Sequence, residues 1–177
     1  MRFKTRLIAA VLAALPLAAP AAAQEVVIEN YSTEEGGQQD DIPFLTEEAV
    51  KKFFGKRTML VTYRSTLADQ FENAINGRAY DMIMLKNGYS VYTACGQFSC
   101  QNKAIAVMDP KGALVAAGMI GYRCPGAGGE CKTTPAAYGF IRKGMEKSFP
   151  RTILTDWAKE YLEEVPANKR RITITTM

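Results

Sequence analysis

Cys95-Gly96-Gln97-Phe98-Ser99-Cys100 places two cysteines around a four-residue loop, and a strand-forming run abuts it on each side. Upstream lies Ala79 to Ala94, broken at Asn87-Gly88; downstream lies Lys103 to Ile120, broken at Asp109-Pro110-Lys111-Gly112. Asn-Gly between apolar runs signals a hairpin, because both central residues of a type I′ turn need φ > 0. Asp-Pro-Lys-Gly suits a type I turn, with proline fixing φ at the second position and glycine free at the fourth. The stretch therefore predicts an antiparallel meander whose middle connection is the cysteine loop. A bridge across so short a loop adds about 2 kcal/mol. It also rigidifies a protrusion, which lowers the entropy cost of inserting it into a partner.

The ends of the chain bound its setting. Arg2, Lys4 and Arg6 precede an apolar run from Leu7 to Ala19, and Ala21-Ala22-Ala23 before Gln24 has the small residues of a cleavage site. Residues 1–23 read as a signal peptide. As a membrane anchor the run is short for a span and ends in Pro20. A periplasmic or secreted chain is expected, with no membrane insertion after cleavage. Removing the leader takes three bases and no acid from a formal net charge of +4. The basic balance is thus largely the leader's, and nucleic-acid binding loses its electrostatic footprint. Gln24 to Val50 holds eight acids and no base, which reads as a solvated lead-in, poorly ordered over 24–42. Roughly 150 residues remain, enough for one domain from 24 to 177 with a sizeable core.

Four cysteines in an exported chain imply disulfides, and three pairings are open. Cys95–Cys100 and Cys124–Cys131 are favoured because each closes a local loop. A four-thiolate zinc site competes, but its spacings would be wider than usual and an oxidising compartment favours bridging.

Along the chain, Thr46 is a plausible N-cap, with Glu47 and Glu48 in the first turn of a short helix and Gly55 beyond its end. Thr58 to Tyr63 reads as a first strand. Thr66 then caps a helix from Leu67 to Asn76, with Leu67, Phe71, Ala74 and Ile75 on one face. In the meander Tyr89, Val91 and Thr93 point one way, and Ser90, Tyr92 and Ala94 the other. Gly121 to Thr134 is a loop pinned by the second cysteine pair. Ala136 to Ser148 is expected to be a weak helix, and Thr155 to Val165 a strong one with a Trp157, Ala158, Tyr161, Leu162, Val165 stripe. Ile172 to Met177 reads as a terminal strand. The fold class is α+β: a central antiparallel sheet, a meander of about five strands, covered by helices on both faces.

Histidine is absent, which removes Ser-His-Asp and Cys-His catalysis and the commonest metal ligand. No glycine loop lies between a strand and a helix to cradle phosphate. Most acids sit at helix starts or in the lead-in, where caps and solvation explain them. No Cys-x-x-Cys occurs in a βαβ setting. A non-enzymatic binding module is expected, with no cofactor and no metal.

Val91-Tyr92-Thr93-Ala94-Cys95, four residues, Cys100, then Gln101-Asn102-Lys103-Ala104-Ile105-Ala106-Val107-Met108 resembles the core of the inhibitor of vertebrate lysozyme (Ivy) family. That family carries a Cys-x4-Cys loop followed by a similar Ile-Ala-Val-Met strand. The resemblance runs over Met82 to Met108. It implies a periplasmic protein with a helix-covered antiparallel sheet and a loop that plugs a lysozyme cleft. The family's inhibitory loop reads Cys-Lys-Pro-His-Asp-Cys; here Gly96, Gln97, Phe98 and Ser99 stand in the four inner places. Phe98 replaces the histidine and cannot donate to a catalytic carboxylate, and a buried unpaired carboxylate on the partner costs several kcal/mol.

Two readings follow. In one, Gly96, Gln97, Phe98 and Ser99 form a loop that binds a glycan-cleaving protein partner, such as a lysozyme or a lytic transglycosylase, with Phe98 as anchor. In the other, the chain is a non-inhibitory envelope interaction protein on the same scaffold; the alternative for Phe98 itself is that it folds back on the meander as core and the bridge only staples the loop. A homodimer stays open in both.

Overall fold

The computed structural model describes residues 45–77, 79–85, 87–96, 99–124 and 130–177. The expected signal peptide (1–23) and the lead-in (24–42) lie outside the described residues.

Helix α1 spans Glu47–Phe54, and its start and stop follow the sequence reading. The Thr46 hydroxyl accepts from the Ala49 N–H at 3.1 Å, Glu47 and Glu48 occupy the first turn, and Gly55 at φ +60° closes the end. Helix α2 spans Leu67–Ile75, with the Thr66 hydroxyl accepting from the Asp69 N–H at 3.1 Å. Its face of Leu67, Phe71, Ala74 and Ile75 is buried. Phe54 brings the two helices together: its ring centroid is 5.3 Å from Phe71 and 5.3 Å from Phe140 of the sheet. Each such aromatic pair adds about 1 kcal/mol beyond the area it buries.

The expected first strand, Thr58 to Tyr63, is instead a small hairpin of β1 (Thr58–Leu60) and β2 (Arg64–Thr66), with Leu60 opposite Arg64. The turn at 61–63 is stabilised from outside by a buried side chain, described below.

The main sheet has six strands in the order β3 (Ala79–Met84), β4 (Ser90–Gly96), β5 (Ser99–Met108), β6 (Leu114–Gly121), β7 (Ala136–Ile141) and β8 (Ile172–Thr176). The first five pair antiparallel in sequence order; β8 joins β7 parallel, which makes the sheet mixed and one strand larger than expected. The chain is thus α+β, with the two-stranded β1–β2 sheet separate from the main one.

Two corrections concern the second half. Ala136 to Ser148, expected to be a helix, provides β7 and then a turn. Its glycine explains why. Gly139 pairs with Gly118 of β6, and a Cβ on Gly118 would lie 2.7 Å from Ile105 Cγ2 and 2.9 Å from Trp157 Cζ3. The glycine pair makes a trough for the following helix, so packing outweighs local propensity. That helix, α3, spans Phe149–Tyr161 rather than Thr155 to Val165. Pro150 fits its first turn, where no intrahelical N–H bond is lost.

Both tight turns of the meander use one geometry. Gly112 at φ +75° donates to the Asp109 carbonyl at 2.9 Å, and Asp109 N–H donates to the Ala113 carbonyl at 2.9 Å. Gly88 at φ +79° donates to the Leu85 carbonyl at 2.8 Å, and Leu85 N–H to the Tyr89 carbonyl at 2.8 Å. Each is a three-residue loop with glycine in the left-handed position. The Asn-Gly pair is therefore not the centre of a two-residue type I′ loop, because the closing bonds join Leu85 to Gly88 and to Tyr89.

Side chains alternate across the strands as the period of two requires. Tyr92, Ala94, Ala104 and Ala106 join one buried cluster with Val50, Phe54 and Phe71 of α1 and α2. Val91, Ile105 and Val107 join another with Leu154, Trp157 and Ala158 of α3.

Candidate binding site at the disulfide-closed end of the sheet

Strands β4 and β5 run into the cysteine loop, and Cys95 and Cys100 are joined by a disulfide with 4.7 Å between Cα atoms. The last backbone pair is Gly96 with Ser99. Between that pair and the next, Cys95 with Lys103, β4 advances one residue and β5 four. The extra residues Cys100, Gln101 and Asn102 form a bulge, which re-aims the chain at the sheet end. Gln97 and Phe98 lie outside the described residues, and Ser99 is placed by its backbone.

Gly96 is buried. The close approach to this stretch is made by the same chain: a Cβ on Gly77 would fall 1.6 Å from the Cys95 carbonyl oxygen and 2.7 Å from the Gly96 carbonyl carbon. Gly77 follows α2, so the end of that helix is clamped against the base of the loop. Cys95 is buried too, at 1 % exposure. The bridge is thus anchored on β4 and by the α2 terminus.

The second disulfide, Cys124–Cys131, gathers at the same end, in the connection from β6 to β7. Both disulfides match the local pairing favoured by the spacing, and with all four thiols paired the zinc alternative falls. Cys124 N–H donates to the Thr62 carbonyl at 2.6 Å, tying this loop to the β1–β2 turn. Gly121 makes room for that contact, since a Cβ there would lie 2.3 Å from Thr62 Cγ2 and 2.7 Å from Asn102 Oδ1. Residues 125–129 of the loop lie outside the described residues.

Sequence reasoning missed the residue that organises this end, Gln70. It is 2 % exposed on α2. Its Oε1 accepts from the N–H groups of Val61 (3.2 Å) and Thr62 (3.1 Å), while Nε2 donates to the carbonyls of Met59 (2.6 Å) and Ser65 (3.1 Å). One amide side chain thereby satisfies the polar backbone of a turn too tight to satisfy itself. A lone glutamine inside an apolar helical face, four residues after a cap, is the signal that could have found it. Beyond Gln70, Tyr63 is 38 % exposed, and its hydroxyl accepts from Asn73 Nδ2 at 2.5 Å.

Three ionisable groups on α2 and β4 depart from ordinary behaviour. Hydrogen bonds from the Thr66 and Ser65 hydroxyls hold the Asp69 carboxyl below its usual range. Burial, reinforced by the charge on Glu47, raises that of Glu72, one of whose oxygens is buried without a hydrogen-bond partner. Burial raises the Tyr92 phenol. What the described residues offer is a sheet end cross-linked by two disulfides and supported by a hairpin and a helix end.

Set against models of known protein families, curated proteins and solved structures, the chain matches none of them.

Proposed function

We propose that this is an exported, periplasmic binding protein of the inhibitor of vertebrate lysozyme (Ivy) kind, which presents the Cys95–Cys100 loop to a glycan-cleaving enzyme. The observation that carries the reading is the disulfide across the β4–β5 connection, seated on Gly77, where Cys-x4-Cys meets the family-like Ile105-Ala106-Val107-Met108 strand. A closed loop on a sheet end holds its tip side chains in few conformations, which favours insertion into a cleft. Gln97, Phe98 and Ser99 are the contact residues in this reading, and Gly96 is the buried hinge beneath them. The chain acts by occupancy rather than catalysis, with no cofactor. The two-sided helical cover expected for the family belongs to the same proposal: α1 and α2 lie with one cluster, and α3 with the other.

The partner is a protein with an apolar pocket beside its catalytic carboxylates, as a lysozyme or lytic transglycosylase has. The experiment is a pull-down from envelope extract with the wild-type chain and with Phe98→Ala, followed by peptidoglycan-hydrolysis assays on whatever is captured. Capture and inhibition of a hydrolase by the wild-type chain, lost in Phe98→Ala, supports the proposal. Capture unaffected by Phe98→Ala, or of proteins without glycan-cleaving activity, transfers the function to an envelope interaction protein.

A further inference from the structure

At the opposite end of the sheet from the cysteine loop, a groove of ≈ 570 Å³ lies between α1 and the β5–β6 turn. Phe53 and Leu114 supply apolar wall, while the side chains of Lys52, Lys111 and Arg142 supply three cations against one acidic side chain, Glu48. Arg142 is held in place by donating to the Leu114 carbonyl at 2.6 Å. Neither Lys52 nor Lys111 has an ion-pair partner among the described residues. Concentrating like charges in a concave, partly apolar site raises the local potential and calls for an anionic occupant.

The chain carries such an occupant immediately upstream. Glu25, Glu29, Glu34, Glu35, Asp40 and Asp41 fall within 17 residues that contain no base. Thr46 lines the groove, and Asp41 precedes it by five positions, within about 18 Å even of fully extended chain. We propose that the groove is the docking site for the acidic stretch 25–41 of the same chain. Val26, Val27 and Ile28 give that stretch an apolar segment to match Phe53 and Leu114, and its carboxylates match the three cations. A short tether holds the stretch at roughly millimolar effective concentration, so a dissociation constant of about 1 mM suffices for substantial occupancy. Binding of this kind weakens with salt, because Lys52 and Lys111 are exposed to solvent.

The test uses the full mature chain and a small amine-acetylating reagent, read by mass spectrometry. In low salt, Lys52 and Lys111 should react about threefold or more slowly than in a variant with all six acids changed to Gln or Asn, the protection vanishing near 1 M salt as the screening length falls to about 3 Å. Lys132 and Lys147 serve as exposed controls and should react alike in both chains. A carbodiimide should join Lys52 or Lys111 to an acid of 25–41 within one chain, at a yield unchanged by tenfold dilution. Equal reactivity in the two chains, with cross-links confined to Glu47 and Glu48, overturns the proposal in favour of a solvated lead-in. Protection that falls on dilution overturns it in favour of a second copy as occupant.

Discussion

Gly77 and Cys95 are in backbone contact so close that a Cβ on the glycine would lie 1.6 Å from the cysteine's carbonyl oxygen. The φ of Gly77 is not in the left-handed region, so the requirement is for space rather than for conformation. The contact links the end of α2 to the disulfide loop, and it sets how the loop base is held.

Gly77→Ala should therefore destabilise the chain by about 3 kcal/mol, the upper part of the range for overpacking, because the obstacle is backbone that cannot rotate away. Chemical denaturation measures it. A loss under 1 kcal/mol would mean that the loop base yields, and the rigid-loop reading would lose its footing.

Gln70→Ala leaves the Val61 and Thr62 N–H groups and the Met59 carbonyl without their partner. Each stranded buried group costs about 1–3 kcal/mol, so a total loss near 3 kcal/mol or more is expected. Hydrogen exchange should show the largest loss of protection at Val61 and Thr62, with the β4–β5 pairing less affected. Uniform loss across the sheet would contradict a local role.

Glu72→Gln should stabilise the chain at pH 7. The Glu72 carboxyl has its folded-state value raised above 4.5, first by burial and then by Glu47. Its charged form is thus disfavoured in the native state, and the penalty is complete only above the raised value. As pH falls through that value and below 4.5 the proton binds in both states and the penalty disappears. The advantage of the variant in urea denaturation should be present at pH 7 and absent at pH 3.5. Asp69 has the opposite sign: its hydrogen-bonded carboxylate contributes stability above 3.8, which is lost as pH falls through its lowered value.

Placing Pro-His-Asp at positions 97 to 99, with Gly96 retained, should create inhibition of a c-type lysozyme if the loop is the inhibitory element. Gly96 stays because it is buried, and a lysine there would carry its charge into a buried position. A correctly folded graft without inhibition in a cell-wall lysis assay would place the binding surface elsewhere on the scaffold.

Local signals decided much of this fold without tertiary help. Thr46 and Thr66 cap helices, and Gly55, Gly88 and Gly112 stop or turn the chain at positive φ, because these preferences act within a few residues. The cysteine spacing likewise favoured the two short bridges that form, since nearby thiols meet at little entropic cost. What the sequence alone left undecided depended on distant partners. Ala136 to Ile141 became strand because Gly139 meets Gly118 under Trp157 and Leu154. The turn after Leu60 exists because Gln70, on the following helix, supplies its hydrogen bonds. Strand β8 pairs parallel with β7 because α3 carries the chain across the sheet and back to the same end. Each depends on atoms far apart along the chain or on a side chain's single orientation, which only packing decides.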